Sequence, residues 1–269
     1  MNKLQGRLLK MLGWFHKYCE DNNITYYAIG GTVLGAARHK GFIPWDDDID
    51  LALPRKDYNK LMDTFKGTID GYCLETPYSD KKDFLYTFSK LYDTNSTMVE
   101  HTRFDCKRGI YIDIFPLDGI GNSFEEAAAN MKKFDRKNML LMMRTCAIRK
   151  ERKWYKNLSI IMARAVPSFI INEKKLSLGL EKLANSLNDD SAEYLANLSG
   201  AYRFKEITKK SVFGNPTLYD FEDQKIYGPQ HTDEYLTGVY GNWRQLPPED
   251  KRKSGHDFIF LDYNKSYLD

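Results

Sequence analysis

Ala28-Ile-Gly-Gly-Thr-Val-Leu-Gly-Ala-Ala-Arg-His-Lys-Gly-Phe-Ile-Pro-Trp-Asp-Asp-Asp-Ile-Asp50 is the stretch that decides the fold. Just upstream, Ile24-Thr-Tyr-Tyr-Ala-Ile29 has the β-branched and aromatic composition of a strand, and it leaves through Gly30-Gly31, which reads as a tight turn. Thr32 to His39 has helical spacing, and Gly41-Phe-Ile-Pro44 breaks it. Asp48-Ile-Asp-Leu-Ala-Leu53 then alternates with the period of a strand until Pro54. Glycines between a strand and a helix let the backbone approach a ligand closely. The first N–H groups of the helix, with the Thr32 hydroxyl, make a cradle suited to phosphate. Alone, Gly-Gly-Thr fits a plain turn equally well.

The acidic strand shifts that balance. Asp48 and Asp50 stand at i and i+2, so on a strand they share one face with Cα atoms roughly 6.5–7 Å apart. Ile49 and Leu51 point to the other face and Asp47 turns away. Two carboxylates so placed suit Mg²⁺ or Mn²⁺, hard cations that take oxygen ligands. A solvated Asp46-Asp47-Asp48 loop is the plainer reading, but four carboxylates in five positions repel, and a bound cation offsets that. A third carboxylate, Asp113, interrupts the apolar Gly109-Ile-Tyr-Ile-Asp-Ile-Phe-Pro116. A buried ionised Asp needs a metal or an ion pair, and Arg108 is a nearby candidate partner. Asp118 reads as a turn cap.

Outward from this centre, the chain of 269 residues is 42% hydrophobic and 29% charged, which excludes intrinsic disorder. A net charge of +3 is too small for a chain that coats nucleic acid by charge, so no nucleic-acid partner is expected. Cys19, Cys73, Cys106 and Cys146 are dispersed, which suits reduced, cytoplasmic cysteines. The first 23 residues read as an amphipathic helix, with Lys56–Phe65 as another. Tyr72–Glu75, Tyr86–Tyr92 and Gly109–Phe115 read as strands. The whole implies an α+β core, a mixed sheet flanked by helices, over residues 1–122. A helical, basic region follows over 123–200, in which Met139–Met143 reads as a core-facing helix. A loop-rich segment over 201–269 packs on the core.

The order of strand, Gly-Gly-Thr helix, Asp-x-Asp strand and later lone-Asp strand resembles the nucleotidyltransferase fold of the polymerase β type. Gly30 to Asp50 resembles the signature of the LicD family more closely still, and Tyr111-Ile-Asp-Ile-Phe-Pro-Leu-Asp118 is similar to that family's second motif. Tyr240-Gly-Asn-Trp and Leu246-Pro-Pro-Glu-Asp-Lys-Arg resemble its closing segment. The resemblance implies a Mg²⁺-dependent phosphotransferase that moves phosphocholine from CDP-choline, or the phosphorylated alcohol of a related CDP-alcohol, to a sugar hydroxyl of a lipid-linked surface-glycan precursor, teichoic acid or lipopolysaccharide. CMP would leave. By the same resemblance Asp48, Asp50 and Asp113 would hold the metal, Asp113 would draw the acceptor proton, and Gly30, Gly31, Thr32, Arg38, Lys90 and His256 would bind the donor.

Two other chemistries suit the same residues. An ordinary nucleotidyltransferase would release pyrophosphate, and a metal-dependent glycosyltransferase would use Asp46-Asp47-Asp48 as its Asp-x-Asp motif but give no role to Gly30-Gly31 or Asp113. A catalytically dead scaffold would have no need to keep all three carboxylates. The basic run Arg144, Arg149, Lys150, Arg152, Lys153, Lys156 and Arg164, opposed by Glu151 alone, contains Trp154-Tyr155 and leads into Leu158-Ser-Ile-Ile-Met. That composition suits a helix lying at the inner face of a cell membrane, and suits equally a basic helix whose apolar side covers the sheet. The greasy stretch Leu158–Ile171 is interrupted by Arg164 and Pro167 and is too short to span.

Overall fold

A computed structural model describes residues 1–104, 106–254 and 258–269. Helix α1 (Lys3–Asp21) starts from a capping box, in which Asn2 accepts from the Gln5 N–H and the Gln5 side chain accepts from the Asn2 N–H. Its Leu4, Leu8, Met11, Leu12, Phe15 and Cys19 stripe is buried. Strand β1 is only Tyr27–Ala28, shorter than its composition predicts. Helix α2 (Gly30–His39) begins at the glycine pair itself. Strand β2 (Asp50–Pro54) includes the proline and passes directly into α3 (Arg55–Thr64). Two short strands, β3 (Thr68–Ile69) and β4 (Tyr72–Glu75), precede β5 (Ser89–Asp93), β6 (Thr97–Glu100) and β7 (Lys107–Arg108). The long β8 (Tyr111–Gly121) is buried throughout.

The main sheet runs β1-β2-β8-β5-β4-β3, with β2 parallel to β8 and the other pairs antiparallel. It is the mixed sheet expected of an α+β nucleotidyltransferase-like fold. Strand β8 is continuously apolar but for its aspartates because it is covered on both sides.

Three helices follow, α4 (Phe124–Thr145), α5 (Trp154–Ala165) and α6 (Glu173–Leu187). The chain then re-enters the sheet through β9 (Tyr194–Ala196), paired with the far end of β8, and β10 (Thr208–Lys209). After α7 (Lys210–Phe213) come the hairpin β11 (Thr217–Phe221) and β12 (Gln224–Gly228), helix α8 (Thr232–Tyr240), and β13 (Phe258–Asp262) paired with β6. The C-terminal segment, expected to be loop-rich, therefore holds short helices and also a hairpin and two sheet extensions. The hairpin pairs within itself, but β10 and β13 pair with strands elsewhere in the chain.

One apolar cluster joins α1, the sheet and C-terminal residues such as Val212, Phe221 and Leu236. A second lies among β8, α4, α6 and β9, around Met131, Phe134 and Leu180. Asp118 does not cap a turn. It is buried in β8 and takes Arg55 of α3 in a two-pronged ion pair at 2.6 and 2.9 Å, while the same guanidinium also reaches Glu181 of α6. Met139 and Met142 are exposed rather than core-facing. Among the described residues, no helix is long and apolar enough to cross a membrane.

Candidate active site

At the mouth of β2 and β8 the chain crosses itself. The Asp113 N–H donates to the Ile49 carbonyl at 3.0 Å and the Ile29 N–H to the Asp50 carbonyl at 3.1 Å. Register puts Asp50 opposite Asp113 on the parallel pair, and Asp113 opposite Lys90 on the antiparallel neighbour. Three charged side chains thus stand in one row across three strands, on one face of the sheet. The Lys90 Nζ lies 2.9 Å from Asp113 Oδ1 and 3.8 Å from Glu100, over the Tyr111 ring at 3.4 Å and the Tyr86 ring at 4.4 Å. Lys90 is 2% exposed, so its charge depends on these carboxylates and π faces. The partner of Asp113 is therefore Lys90. Arg108 is engaged with Glu75 and Asp83 instead.

Asp50 and Asp113 open into a cleft of about 520 Å³. Gly30, Gly31, Asp46 and Asp48 form one side; Asp135, Asn138 and Met142 of α4, the 197–203 loop, Glu206 and Tyr240 form the other. Oxygens of Asp46, Asp47 and Asp48 come within 4.8 Å of one another; among the described residues this is the grouping that tight, and the trio Asp48, Asp50 and Asp113 is looser. Residues 46–49 are not strand, so period-two alternation does not govern them. Even so, Asp47 leans out of the cleft, into a crevice with Leu4, Leu8 and Glu100, where Ser254 donates to it.

Burial, then the charges of Asp48, Asp113 and Asp46, push the Asp50 carboxyl well above its usual range. Asp113 rises to about 6, burial outweighing the opposing pull of Lys90. Crowded acids of this kind bind cations in place of protons. The donors are all carboxylate oxygens, the set that Mg²⁺ and Mn²⁺ accept, so the residues fit such an ion.

The glycines are used against these acids. Gly30 sits at φ +54°, and a Cβ there would lie 3.3 Å from Asp50 Oδ2. A Cβ on Gly31 would lie 2.7 Å from Asp46 Oδ2, closer than real Cβ atoms come. The Gly30 N–H, expected to face phosphate, donates to the Tyr235 hydroxyl at 3.1 Å. Thr32 is buried, and its hydroxyl accepts from the Asp50 N–H at 2.9 Å. It fastens helix to strand instead of lining the cradle. Arg38 is not among the residues that line the cleft; its Nη1 donates to the Trp243 carbonyl at 2.7 Å. The sequence offered it as a phosphate ligand because it follows the glycine helix, but the helix turns it toward the C-terminal segment. His256 lies outside the described residues.

Sequence reasoning missed Asp46 as a cleft residue, and missed Glu206, Tyr202 and Tyr240. Glu206 is buried, accepts from the Tyr202 N–H, and is raised to about 7 by burial. Nothing in the local sequence marks Tyr202 and Glu206, which reach the site only through long-range packing, whereas Asp46 belongs to the acidic run and Tyr240 to the closing motif.

Fold and cleft together define a nucleotidyltransferase-type protein with a carboxylate-lined centre. Residues 23–147 match the family described as LicD/FKTN/FKRP, nucleotidyltransferase domain, and that part of the chain is a domain of this family. The protein is accordingly an enzyme of that type. It is similar to the lipopolysaccharide cholinephosphotransferase LicD of Haemophilus influenzae, 28% identical over 251 residues that cover 92% of each chain. The ribitol 5-phosphate transferase FKRP of Homo sapiens is 26% identical over 106 residues, 34% of this chain and 21% of that one. An uncharacterized protein, RP689, of Rickettsia prowazekii is 30% identical over 129 residues, 40% of this chain and 48% of that one.

Proposed function

We propose that the protein transfers phosphocholine from CDP-choline to a sugar hydroxyl of a lipid-linked surface-glycan precursor, releasing CMP. The observation that carries this reading is the Asp50–Asp113–Lys90 row, whose two aspartates share one cleft with Asp46 and Asp48. The near full-length similarity to a cholinephosphotransferase supports the choice of donor.

Asp46, Asp48 and Asp50, with Asp113 behind them, would hold Mg²⁺ or Mn²⁺. When bound, the ion supplies charge neutralisation on the diphosphate and orients it for in-line displacement. Asp113, with its raised affinity for a proton, accepts the acceptor hydroxyl's proton at its carboxylate. Lys90 keeps that carboxylate aimed and close to ionised. The backbone at Gly30-Gly31, bare of Cβ atoms, lets the diphosphate approach the carboxylates.

The test is thermal stabilisation by CDP-choline, CDP-ethanolamine, CDP-ribitol and UDP-glucose, each with Mg²⁺, followed by product analysis. A ligand at a hundred times its dissociation constant adds roughly 2.7 kcal/mol of stability. Stabilisation by CDP-choline above the others, with CMP and a phosphocholine ester as products, is expected. Pyrophosphate release, or preference for the nucleotide-sugar, would refute the reading.

A further inference from the structure

Seven of the exposed large hydrophobic residues among those described fall within one short stretch, Trp154 to Ile170. On α5, Trp154 is 75% exposed, Met162 65%, Ile161 51% and Leu158 46%. Positions 154, 158, 161 and 162 recur at i, i+4, i+7 and i+8, which is one face of a helix, and half-exposed Tyr155 adjoins it. Just past the helix, Phe169 and Ile170 are exposed at 87% and 64%. The buried residue of α5 is Ile160 alone. The alternative that Leu158–Met162 covers the sheet is therefore not what the chain does.

The helix is held in this unusual orientation by its polar groups. The Arg144 guanidinium, fully buried and paired with Glu173, donates to the Ala163 and Val166 carbonyls at 2.6 and 2.8 Å, fastening the C-terminal end of α5. Arg164 donates to the Cys146 carbonyl, and Arg152 to the Ala147 carbonyl at 2.8 Å. Three members of the basic run are thus spent on internal carbonyls. Lys150 and Lys153 remain exposed just before the apolar face begins, with Glu151 as the acid between them, while exposed Lys156 is on the opposite side of the helix.

We propose that this face is a docking surface for an anionic lipid membrane. An apolar helix face with Trp and Tyr at its N-terminal end, entered from a segment with two exposed lysines, matches the layers of a bilayer surface: acyl boundary, headgroup zone and anionic charge. The charge selects the occupant, since the lysines would oppose burial against a second copy of the same basic helix. The surface also adjoins the chemistry. Cys146, tied to α5 through Arg164 and Arg152, lines an apolar pocket of about 310 Å³ that shares Phe88, Asn138, Met142 and Ser199 with the acidic cleft. Docking through α5 would hold the cleft beside the bilayer. The inference does not depend on which donor or acceptor the enzyme uses.

Co-sedimentation of the full chain with vesicles of phosphatidylcholine alone, or mixed with phosphatidylglycerol, tests it. Binding should require the anionic lipid and weaken as salt shortens the screening length. Replacing Lys150 and Lys153 together by Gln should reduce partitioning by about tenfold or more, and Lys156→Gln should change it little. Trp154→Ser with Ile161→Ser and Met162→Ser should abolish it, with the melting temperature unchanged in each variant. Three outcomes would overturn the proposal: no binding of the wild type to anionic vesicles at low salt, binding that survives the apolar triple, or a solution dimer that the apolar triple dissociates.

Discussion

Asp50 and Asp113 are register partners on adjacent parallel strands, 63 positions apart in the chain and brought to the same level of one sheet face. Parallel pairing requires a long crossover, and here the crossover carries β5, whose Lys90 closes the row from the other side. The placement concentrates negative charge where folding alone gives it no full compensation. A site of this kind costs stability and gains affinity for cations.

Asp50→Asn should therefore separate stability from activity. Burial and the charges of Asp48, Asp113 and Asp46 all oppose ionisation of Asp50, so the neutral isostere relieves repulsion. Without metal, the variant should melt at the wild-type temperature or above it, while transfer falls about a thousandfold or more, on the order of 4 kcal/mol of barrier. A drop of several degrees in melting temperature would mean that Asp50 is needed for the fold.

Gly31→Ala should impair metal binding by way of Asp46. The added methyl would stand 2.7 Å from Asp46 Oδ2 and must displace it. Calorimetric titration with Mn²⁺ should show weaker binding than wild type, with circular dichroism unchanged. Equal affinity would remove Asp46 from the metal site.

Arg55 ties α3, β8 and α6 together through Asp118 and Glu181, all buried. Arg55→Ala leaves two carboxylates without their cation and should cost about 3–5 kcal/mol in urea unfolding. Arg55→Met combined with Asp118→Leu and Glu181→Leu should recover much of that loss, because no buried charge is then left unpaired. If the triple variant is no more stable than Arg55→Ala, the cost arises from packing.

Glu206 makes stability depend on pH. Its folded pKa, about 7, stands above the ordinary 4.5, so the folded state holds its proton when the unfolded chain has lost it. Folding is favoured by that proton below about pH 4.5, and the advantage is lost as pH rises to about 7. Glu206→Gln keeps an acceptor for the Tyr202 N–H and cannot ionise. Relative to wild type it should gain on the order of 3 kcal/mol between pH 4.5 and 7. A constant difference across that window would show that Glu206 ionises normally.

The local elements of the site were legible because their signals are local. Tyr72–Glu75 is a strand with the bounds its composition predicts, and the glycine-pair helix and the acidic strand fall within two residues of expectation. Asp113 was conspicuous because a lone acid in an apolar run has no packing reason to be there. The same reasoning misplaced Thr32, Arg38 and Asp118, whose side chains bond to residues far away in the chain.

What the sequence by itself determined is the kind of fold and the identity of the acidic strands, since hydrophobic period, glycine turns and buried charge are properties of a few neighbouring residues. Only the tertiary structure decided which cation faces Asp113, which acids crowd within reach of one ion, and that the apolar side of α5 faces outward. Those outcomes depend on register between strands and on what remains for a helix to pack against once the core is filled. Lys90 meets Asp113 through β5–β8 register, and α5 is fastened by the buried Arg144 rather than by its own apolar face.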